Sequence, residues 1–133
     1  MTVALPRVGD VLPEVSVDIT AKLIVAGAIA SRDFQDVHHD KAAAQALGTP
    51  DIFMNILTTN GLVGRYLTDW AGVGSQLKHI DIRLGAPNFP GDCMRFGGEV
   101  TAVDAASGEV EVRLSGRNDL GDHVTGSATL KLG

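Results

Sequence analysis

The sequence predicts an α+β fold in which an antiparallel sheet wraps around one long helix. Two observations carry this prediction: apolar residues fall at helical spacings between Thr20 and about Ala71, and they alternate with polar residues from about Gln76 onward. Strict alternation is typical of an antiparallel sheet with one packed face and one wet face. We find no internal repeat, linker or low-complexity segment, so we expect one domain over residues 1–133.

Two helices are expected before residue 50. Thr20 can cap a helix over residues 21–30, in which small and aliphatic residues dominate. Asp40 can cap a short second helix over residues 41–47, and Gly48 then ends it.

The third and longest helix should run from about Asp51 to Asp69. Its apolar residues fall near i, i+4 and i+7 spacings, which predicts a buried helix. Gly61 and Gly64 inside it each cost about 1 kcal/mol of helix stability relative to alanine. We therefore expect another backbone to lie close against the helix at these glycines.

Four strands are expected in the second half, separated by turns at residues 87–91, 105–108 and 118–121. A further strand from the region of residues 11–19 should join the same sheet. The residues predicted to face the core are Ile80, Ile82 and Leu84; Met94, Phe96, Gly98 and Val100; Val110, Val112 and Leu114; and Ala128, Leu130 and Leu132.

Composition excludes several classes of protein. The net charge is −5 and no segment gathers a basic run, which argues against nucleic-acid binding. No stretch approaches the roughly twenty apolar residues that span a bilayer. A single cysteine, Cys93, excludes an internal disulfide framework and agrees with a reducing, cytoplasmic location. We interpret Cys93 as a small strand residue rather than a nucleophile.

One acid–histidine pair stands out, because Asp33 and His38 lie five residues apart at the predicted break between the first two helices. A carboxylate and an imidazole on one bend can hold a water and exchange its protons, as hydration of an activated double bond requires. The pair by itself is a weak signal, because most such pairs are ordinary surface residues. His39 is expected to be exposed without a chemical role, and His79 and His123 to face solvent. The four histidines lack the spacing of metal ligands, so no metal is expected.

Four motifs in the right order resemble those of the MaoC-like (R)-specific enoyl-CoA hydratases, a family with the hotdog fold. That family carries an Asp-x-Asn-Pro-Leu-His-x-Asp pattern, a Pro-Gly-Asp turn, a central-helix His-Gly-Met-Leu-Thr-x-Gly-Leu motif and a late Asn-x-x-Gly-x-x-Val element. The matching positions are Asp33, His38 and Asp40 for the first pattern, residues 90–92 for the turn, residues 55–62, loosely, for the helix motif, and residues 118–124 for the late element.

This chain departs from the family pattern at several positions near the pair. Gln35 replaces Asn, Asp36 replaces Pro and Arg32 replaces the usual Gly, so the bend cannot rely on proline for its shape. On the central helix, Asn55 stands in place of His and Ile56 in place of Gly.

The resemblance implies a hydro-lyase that adds water to a trans-2-enoyl-CoA and gives a 3-hydroxyacyl-CoA. Asp33 and His38 would be the catalytic pair. Backbone N–H groups of Asn55 and Ile56 would stabilise the thioester oxygen, because unpaired amides and the positive dipole end lie at a helix start. Coenzyme A would be part of the substrate, so no cofactor is expected.

Residues 32–40, 51–58, 66–72 and 116–125 are similar to one branch of this family, the small subunits of actinobacterial steroid side-chain enoyl-CoA hydratases. This similarity implies a role in cholesterol degradation and an α2β2 assembly with a second MaoC-like chain, or otherwise a homodimer. Central helices would lie side by side in such an assembly, and the sheets would join at their edges.

Three alternatives are weighed against this function. A 3-hydroxyacyl-ACP dehydratase of fatty-acid synthesis shares the fold and the pair, but carrier-protein substrates favour a basic patch that this acidic chain lacks. A non-catalytic partner subunit is the second alternative, against which the retention of both Asp33 and His38 argues. Hotdog thioesterases place a carboxylate on the central helix, and residues 54–59 contain none.

Overall fold

The computed structural model describes residues 4–133, so residues 1–3 of the expected domain lie outside it. Five strands and three α-helices follow one another along these residues, with a 3-10 turn between the first two helices. Their order is β1 (Val11–Asp18), α1 (Ala21–Ala30), the 3-10 turn (Asp36–His38), α2 (Lys41–Ala46), α3 (Ile56–Ala71), β2 (Gln76–Leu84), β3 (Cys93–Asp104), β4 (Glu109–Asn118) and β5 (Gly121–Lys131).

The five strands form one antiparallel sheet in the order β1-β3-β4-β5-β2. The register shifts once in each of the four strand pairs, and such bulges increase the twist and bend of a sheet. This agrees with the predicted α+β fold, including the strand from residues 11–19.

Helix α3 packs against the concave side of the sheet. Val63 and Leu67 are fully buried there, and the ring of Tyr66 stacks on Phe96 with the ring centroids 4.9 Å apart. The Tyr66 hydroxyl also donates to the carbonyl oxygen of Pro13, at 2.7 Å. The predicted inward residues that are buried are Met94, Phe96, Val100, Val110, Val112, Leu114, Ala128, Leu130 and Leu132. The prediction is weaker for the edge strand β2, where Ile80 and Ile82 are partly buried and Leu84, at the end of the strand, is exposed.

The prediction that α3 is buried holds on one side only. Ile56 and Leu57 are half exposed and Gly61 faces outward. The prediction that another backbone lies close to the two glycines is wrong within the described chain. A Cβ on Gly61 would meet nothing within 4 Å, and one on Gly64 would meet only the Leu77 side chain, at 3.7 Å.

Helix α3 begins five residues later than predicted, at Ile56 instead of about Asp51. The N–H of Phe53 donates to Val37 O and the N–H of Met54 donates to Asn88 O, so neither is available to a helix. The misleading signal was apolar spacing, since the residues before the helix are buried as an irregular segment held by tertiary hydrogen bonds.

No helix among residues 4–133 is both long enough and apolar enough to cross a membrane.

Candidate active site

The end of α1 directs Asp33 toward the start of α3. The N–H of Arg32 donates to Ile29 O and the N–H of Asp33 donates to Ala28 O, which is the Schellman pattern of a helix C-terminus. Arg32 has a φ of 57°, in the left-handed region that favours glycine. The family's usual Gly at this position therefore has a conformational reason, and this chain makes the same turn with an arginine.

His38 lies at the end of the 3-10 turn and is buried. Its Nδ1 is 2.7 Å from the carbonyl oxygen of Phe53, and its ring meets the Phe53 ring edge-on at 5.1 Å. A carbonyl oxygen can only accept, so Nδ1 carries the proton in this contact. Nε2 is thereby left facing Asp33 Oδ2, 3.3 Å away. The structure thus brings the two predicted catalytic residues into contact.

The Asp33 carboxylate is held from three directions. Asn55 Nδ2 donates to Oδ2 at 3.1 Å, the N–H of Gln35 donates to Oδ1 at 3.3 Å, and His38 faces Oδ2. The Asn55 hydrogen bond is the largest of the influences that lower the pKa of Asp33. Desolvation opposes it, and the Gln35 N–H adds to it, as does the charge of His38 when its ring is protonated. The ionised form of the carboxyl group is therefore favoured.

The predicted oxyanion donors lie at the first turn of α3. Asn55 is the N-cap of this helix, and its side-chain oxygen accepts from the N–H of Thr58, at 3.0 Å. The backbone N–H groups of Asn55 and Ile56 have no hydrogen-bond acceptor among residues 4–133. Both can therefore donate to a substrate, at the end of the helix where the dipole favours negative charge.

The prediction that His123 faces solvent is wrong. His123 is buried, with Nδ1 2.7 Å from Ala86 O and Nε2 2.8 Å from Thr59 Oγ1. The cause is a bulge, because Gly116 pairs with Val124 while the next residue of β4 pairs with Asp122, and His123 is left over. An extra residue reverses the alternation, so periodicity alone assigned the wrong face. Burial lowers the pKa of His123, which favours the neutral ring.

The late Asn-x-x-Gly-x-x-Val element holds the segment that precedes α3, through hydrogen bonds to residues 87 and 88. Asn118 Nδ2 donates to Pro87 O at 3.0 Å and to Asn88 Oδ1 at 2.8 Å. The carbonyl oxygen of Asn88 in turn accepts from the N–H of Met54, the residue between Phe53 and Asn55. Sequence reasoning assigned no role to Asn88; the family motif that contains Asn118 was the available signal for this network.

The remaining candidates lie outside this cluster. His39 is exposed, with Nε2 3.3 Å from Phe34 O and 3.6 Å from Asp36 Oδ1. His79 is exposed on β2, as predicted, and Cys93 opens β3 as a partly buried strand residue. Within the described chain, no three His, Cys, Asp or Glu side chains converge as metal ligands.

A buried histidine in contact with a partly exposed carboxylate, beside the free amides of a helix start and in a sheet wrapped around that helix, defines a class of enzyme. The model of the MaoC-like domain matches residues 7–118, and the chain belongs to this family. It has the family's hotdog fold, and it is an enzyme of the hydratase type.

Individual relatives agree with this assignment. The chain is 52% identical to the 3-oxo-4,17-pregnadiene-20-carboxyl-CoA hydratase beta subunit of Mycobacterium tuberculosis over 125 residues, which cover 94% of this chain and 95% of that protein. Its structure is similar to one in the crystal structure of the M. tuberculosis ChsH1-ChsH2 complex, with a TM-score of 0.92, 50% identity, and coverage of 97% and 100%. The (R)-hydratase of A. caviae involved in PHA biosynthesis has a TM-score of 0.87 and 25% identity, with coverage of 96% and 98%.

Proposed function

We propose that this chain is the catalytic subunit of an enoyl-CoA hydratase whose substrate is the trans-2-enoyl-CoA of a steroid side chain. The contact of Asp33 with His38 is the observation that carries the catalytic part. The steroid part is supported by the M. tuberculosis relative, whose name gives a pregnadiene carboxyl-CoA as its substrate.

The pair can supply the protons that hydration needs. Two acceptors 3.3 Å apart, a carboxylate oxygen and the Nε2 of a ring protonated at Nδ1, need a proton between them or a water that donates to both from one side. A water that bridges Asp33 and His38 in this way gives one proton to the pair as its oxygen adds to C3 of the enoyl group. The pair returns one proton to C2, so it ends in its starting protonation state.

Negative charge develops on the thioester oxygen while the C3–O bond forms. The N–H groups of Asn55 and Ile56 are the donors we assign to this oxygen, since both are free and lie at the positive end of α3. The family has glycine at this position, and the side chain of Ile56 narrows the path by which the thioester oxygen approaches the backbone N–H. A backbone donor nevertheless tolerates this substitution, because the Ile56 side chain points outward and is half exposed.

We further propose that a second MaoC-like chain docks on the outward side of α3 and on the edge strand β2, giving an α2β2 assembly. Leu57 and Gly61 lie on this side of the helix, where Gly61 leaves room for a second helix. Residues of β2 are exposed or only half buried, and its outer edge has no strand partner in the described chain. An exposed edge beside half-exposed apolar side chains is typical of an interface.

Two rival functions fit less well. A carrier-protein dehydratase would need a basic docking surface, whereas this chain has a net charge of −5. A non-catalytic partner subunit would have no reason to keep Asp33 and His38 in contact with the tautomer fixed by Phe53.

The test is a hydration assay on the chain purified alone and on the chain co-expressed with candidate MaoC-like partner chains. Loss of the absorbance of the conjugated thioester would be followed for a short enoyl-CoA and for a steroid enoyl-CoA. We expect the complex to hydrate the steroid substrate faster than the isolated chain does.

Three results would contradict parts of the proposal. A stable homodimer with full activity on the steroid substrate would overturn the heteromeric assembly. Activity on acyl carrier protein substrates but not on CoA thioesters would favour the dehydratase. A complex that keeps its activity when Asp33 of this chain is changed would place the chemistry in the partner.

A further inference from the structure

The side chain of Asn55 uses both ends of its amide and is 2% exposed. Its oxygen accepts from the N–H and from the hydroxyl of Thr58. Its nitrogen donates to Asp33 Oδ2 at 3.1 Å and to Ser31 Oγ at 2.9 Å. One residue therefore joins the start of α3, the end of α1 and the Asp33 carboxylate.

These contacts determine which way the amide points. A helix cap needs the oxygen toward the N–H of Thr58, so both hydrogens of the nitrogen are directed at Asp33 and Ser31. Ser31 can accept, because its own hydroxyl hydrogen donates to Gly27 O at 2.7 Å. With the amide reversed, its nitrogen would face the Thr58 N–H, donor against donor, and its oxygen would face the Asp33 carboxylate, acceptor against acceptor.

The junction between α1 and the start of α3 is tightly packed. Gly27 of α1 lies against Thr58, and a Cβ at Gly27 would overlap the Thr58 side chain. Thr58 is thus held from α1 while it holds the oxygen of Asn55. Two positions earlier, the carbonyl of Phe53 orients His38, so residues 53 and 55 of one segment orient the two members of the pair.

We propose that Asn55 is a positioning residue, whose side-chain nitrogen holds the Asp33 carboxylate with Oδ2 toward Nε2 of His38. This inference rests on the proposed catalytic pair and adds to it a residue that occupies the place of the family's histidine. A misplacement of about 1 Å in a catalytic group can lower turnover by about 100-fold. The same hydrogen bond is the largest of the causes that lower the pKa of Asp33.

Asn55→Asp separates positioning from helix capping. Aspartate is as good an N-cap as asparagine, so the Thr58 contacts remain, but the donor to Asp33 is replaced by an acceptor. We expect a fall in kcat of about 10- to 100-fold with KM within a few-fold. The acidic limb of the pH profile of kcat/KM should also move to higher pH, because a second carboxylate raises the pKa of Asp33.

The pH shift identifies the group that is affected. His38 is the titratable side chain in contact with the Asp33 carboxylate, while α1 and the following loop present the uncharged Ser31 hydroxyl and Gln35 N–H. A residue that only stabilised the fold would not move this limb. The assay uses the complex of the chain with its partner and the substrate that the complex hydrates.

Two further variants complete the experiment. Asn55→Ser also caps the helix but is too short to reach Asp33 and adds no charge, so it gives the answer if Asn55→Asp does not fold. The matched control is Thr20→Asp, which places the same carboxylate at an exposed helix N-cap, at the other end of α1 from Asp33. We expect Asn55→Ser to lose at least tenfold in kcat and Thr20→Asp to stay within a few-fold of the unchanged chain.

Unchanged kcat and an unshifted acidic limb in both Asn55 variants would overturn this inference, as would an equal loss in Thr20→Asp. In either case an inactive Asp33→Asn variant would leave the proposed function standing. An active Asp33→Asn variant would instead remove the proposed function itself.

Discussion

The carbonyl oxygen of Phe53 lies 2.7 Å from Nδ1 of His38 and determines which nitrogen of the ring is free. Because the carbonyl accepts the hydrogen bond from Nδ1–H, the chemistry of the ring is confined to Nε2, which faces Asp33. The N–H of Phe53 in turn donates to Val37 O, so both backbone groups of Phe53 are hydrogen-bonded to residues of the 3-10 turn. The contact is made by the main chain, so the identity of residue 53 does not predict it.

Asp33→Asn and His38→Ala should each lower turnover by two to three orders of magnitude, the usual scale for acid–base groups. Asp33→Asn keeps the side-chain volume. His38→Ala leaves the Phe53 carbonyl without its partner, so it should also cost about 1–3 kcal/mol of stability without unfolding the chain. Steady-state kinetics on the complex, with circular dichroism for folding, measures both effects.

His39→Ala is the control for this pair, because His39 is exposed and contacts only its own turn. It should stay within a few-fold of the unchanged chain. If it alone abolished activity, the assignment of His38 would be wrong. Loss of soluble protein in both Asp33→Asn and His38→Ala would show that the pair is structural.

Arg32→Gly should stabilise the chain by about 0.5–1 kcal/mol. The left-handed φ of 57° costs a side-chain-bearing residue about 1–2 kcal/mol, and the greater entropy of glycine in the unfolded chain offsets part of the gain. Urea unfolding measures the difference. Arg32→Ala is the control, since it removes the same charge but keeps the Cβ; equal stabilisation by both variants would show that the backbone strain is not the cause.

His123 should make stability depend on pH below about 6.5. Burial lowers the pKa of His123 in the folded chain from its value of 6.5, so the unfolded chain binds the proton first as the pH falls. The contribution of the neutral His123 ring to the free energy of unfolding is fully present above pH 6.5 and is lost progressively as the pH falls toward the folded-state pKa. His123→Gln should remove this part of the pH dependence from the free energy of unfolding.

The matched control for His123 is His79→Gln, because His79 is exposed on β2. Its pH dependence of unfolding should equal that of the unchanged chain. If the slope of the unfolding free energy against pH persisted in His123→Gln, or disappeared in His79→Gln, its assignment to His123 would be wrong.

Two glycines should respond in opposite ways to alanine. Gly27→Ala forces a Cβ into the Thr58 side chain and should cost about 1–3 kcal/mol, the usual scale of overpacking. Gly61→Ala meets nothing within 4 Å and should stabilise the isolated chain by about 1 kcal/mol through helix propensity. Thermal or urea unfolding of the isolated chain compares the two, and a stabilised Gly27→Ala would show that α1 and α3 can separate without cost.

Gly61→Leu tests the proposed docking surface. A large side chain in the outward gap should leave the isolated chain folded and prevent a second helix from approaching. Light scattering of the co-expressed proteins should then show the separate chains. Lys22→Leu is the control, because Lys22 is exposed on α1, away from the proposed surface; an intact assembly in Gly61→Leu would exclude this side of α3 as the interface.

The sequence was sufficient for the features that depend on local period. Alternation assigned the inward residues of β3 and β4 and the end of β5, since each side chain of a strand faces one side or the other whatever lies opposite. The caps Thr20 and Asp40 marked the starts of α1 and α2, because a cap binds within its own first turn. The pair of Asp33 and His38 could also be predicted from the sequence, because both residues belong to one short bend.

Tertiary structure alone decided the features that join distant segments. The start of α3 depends on hydrogen bonds to Val37 and Asn88, which are remote in the chain. The burial of His123 depends on a bulge between two strands, and the role of Asn55 depends on where α1 ends. Periodicity records how a segment repeats along itself, and a hydrogen bond across the fold is determined by the geometry with which separate segments meet.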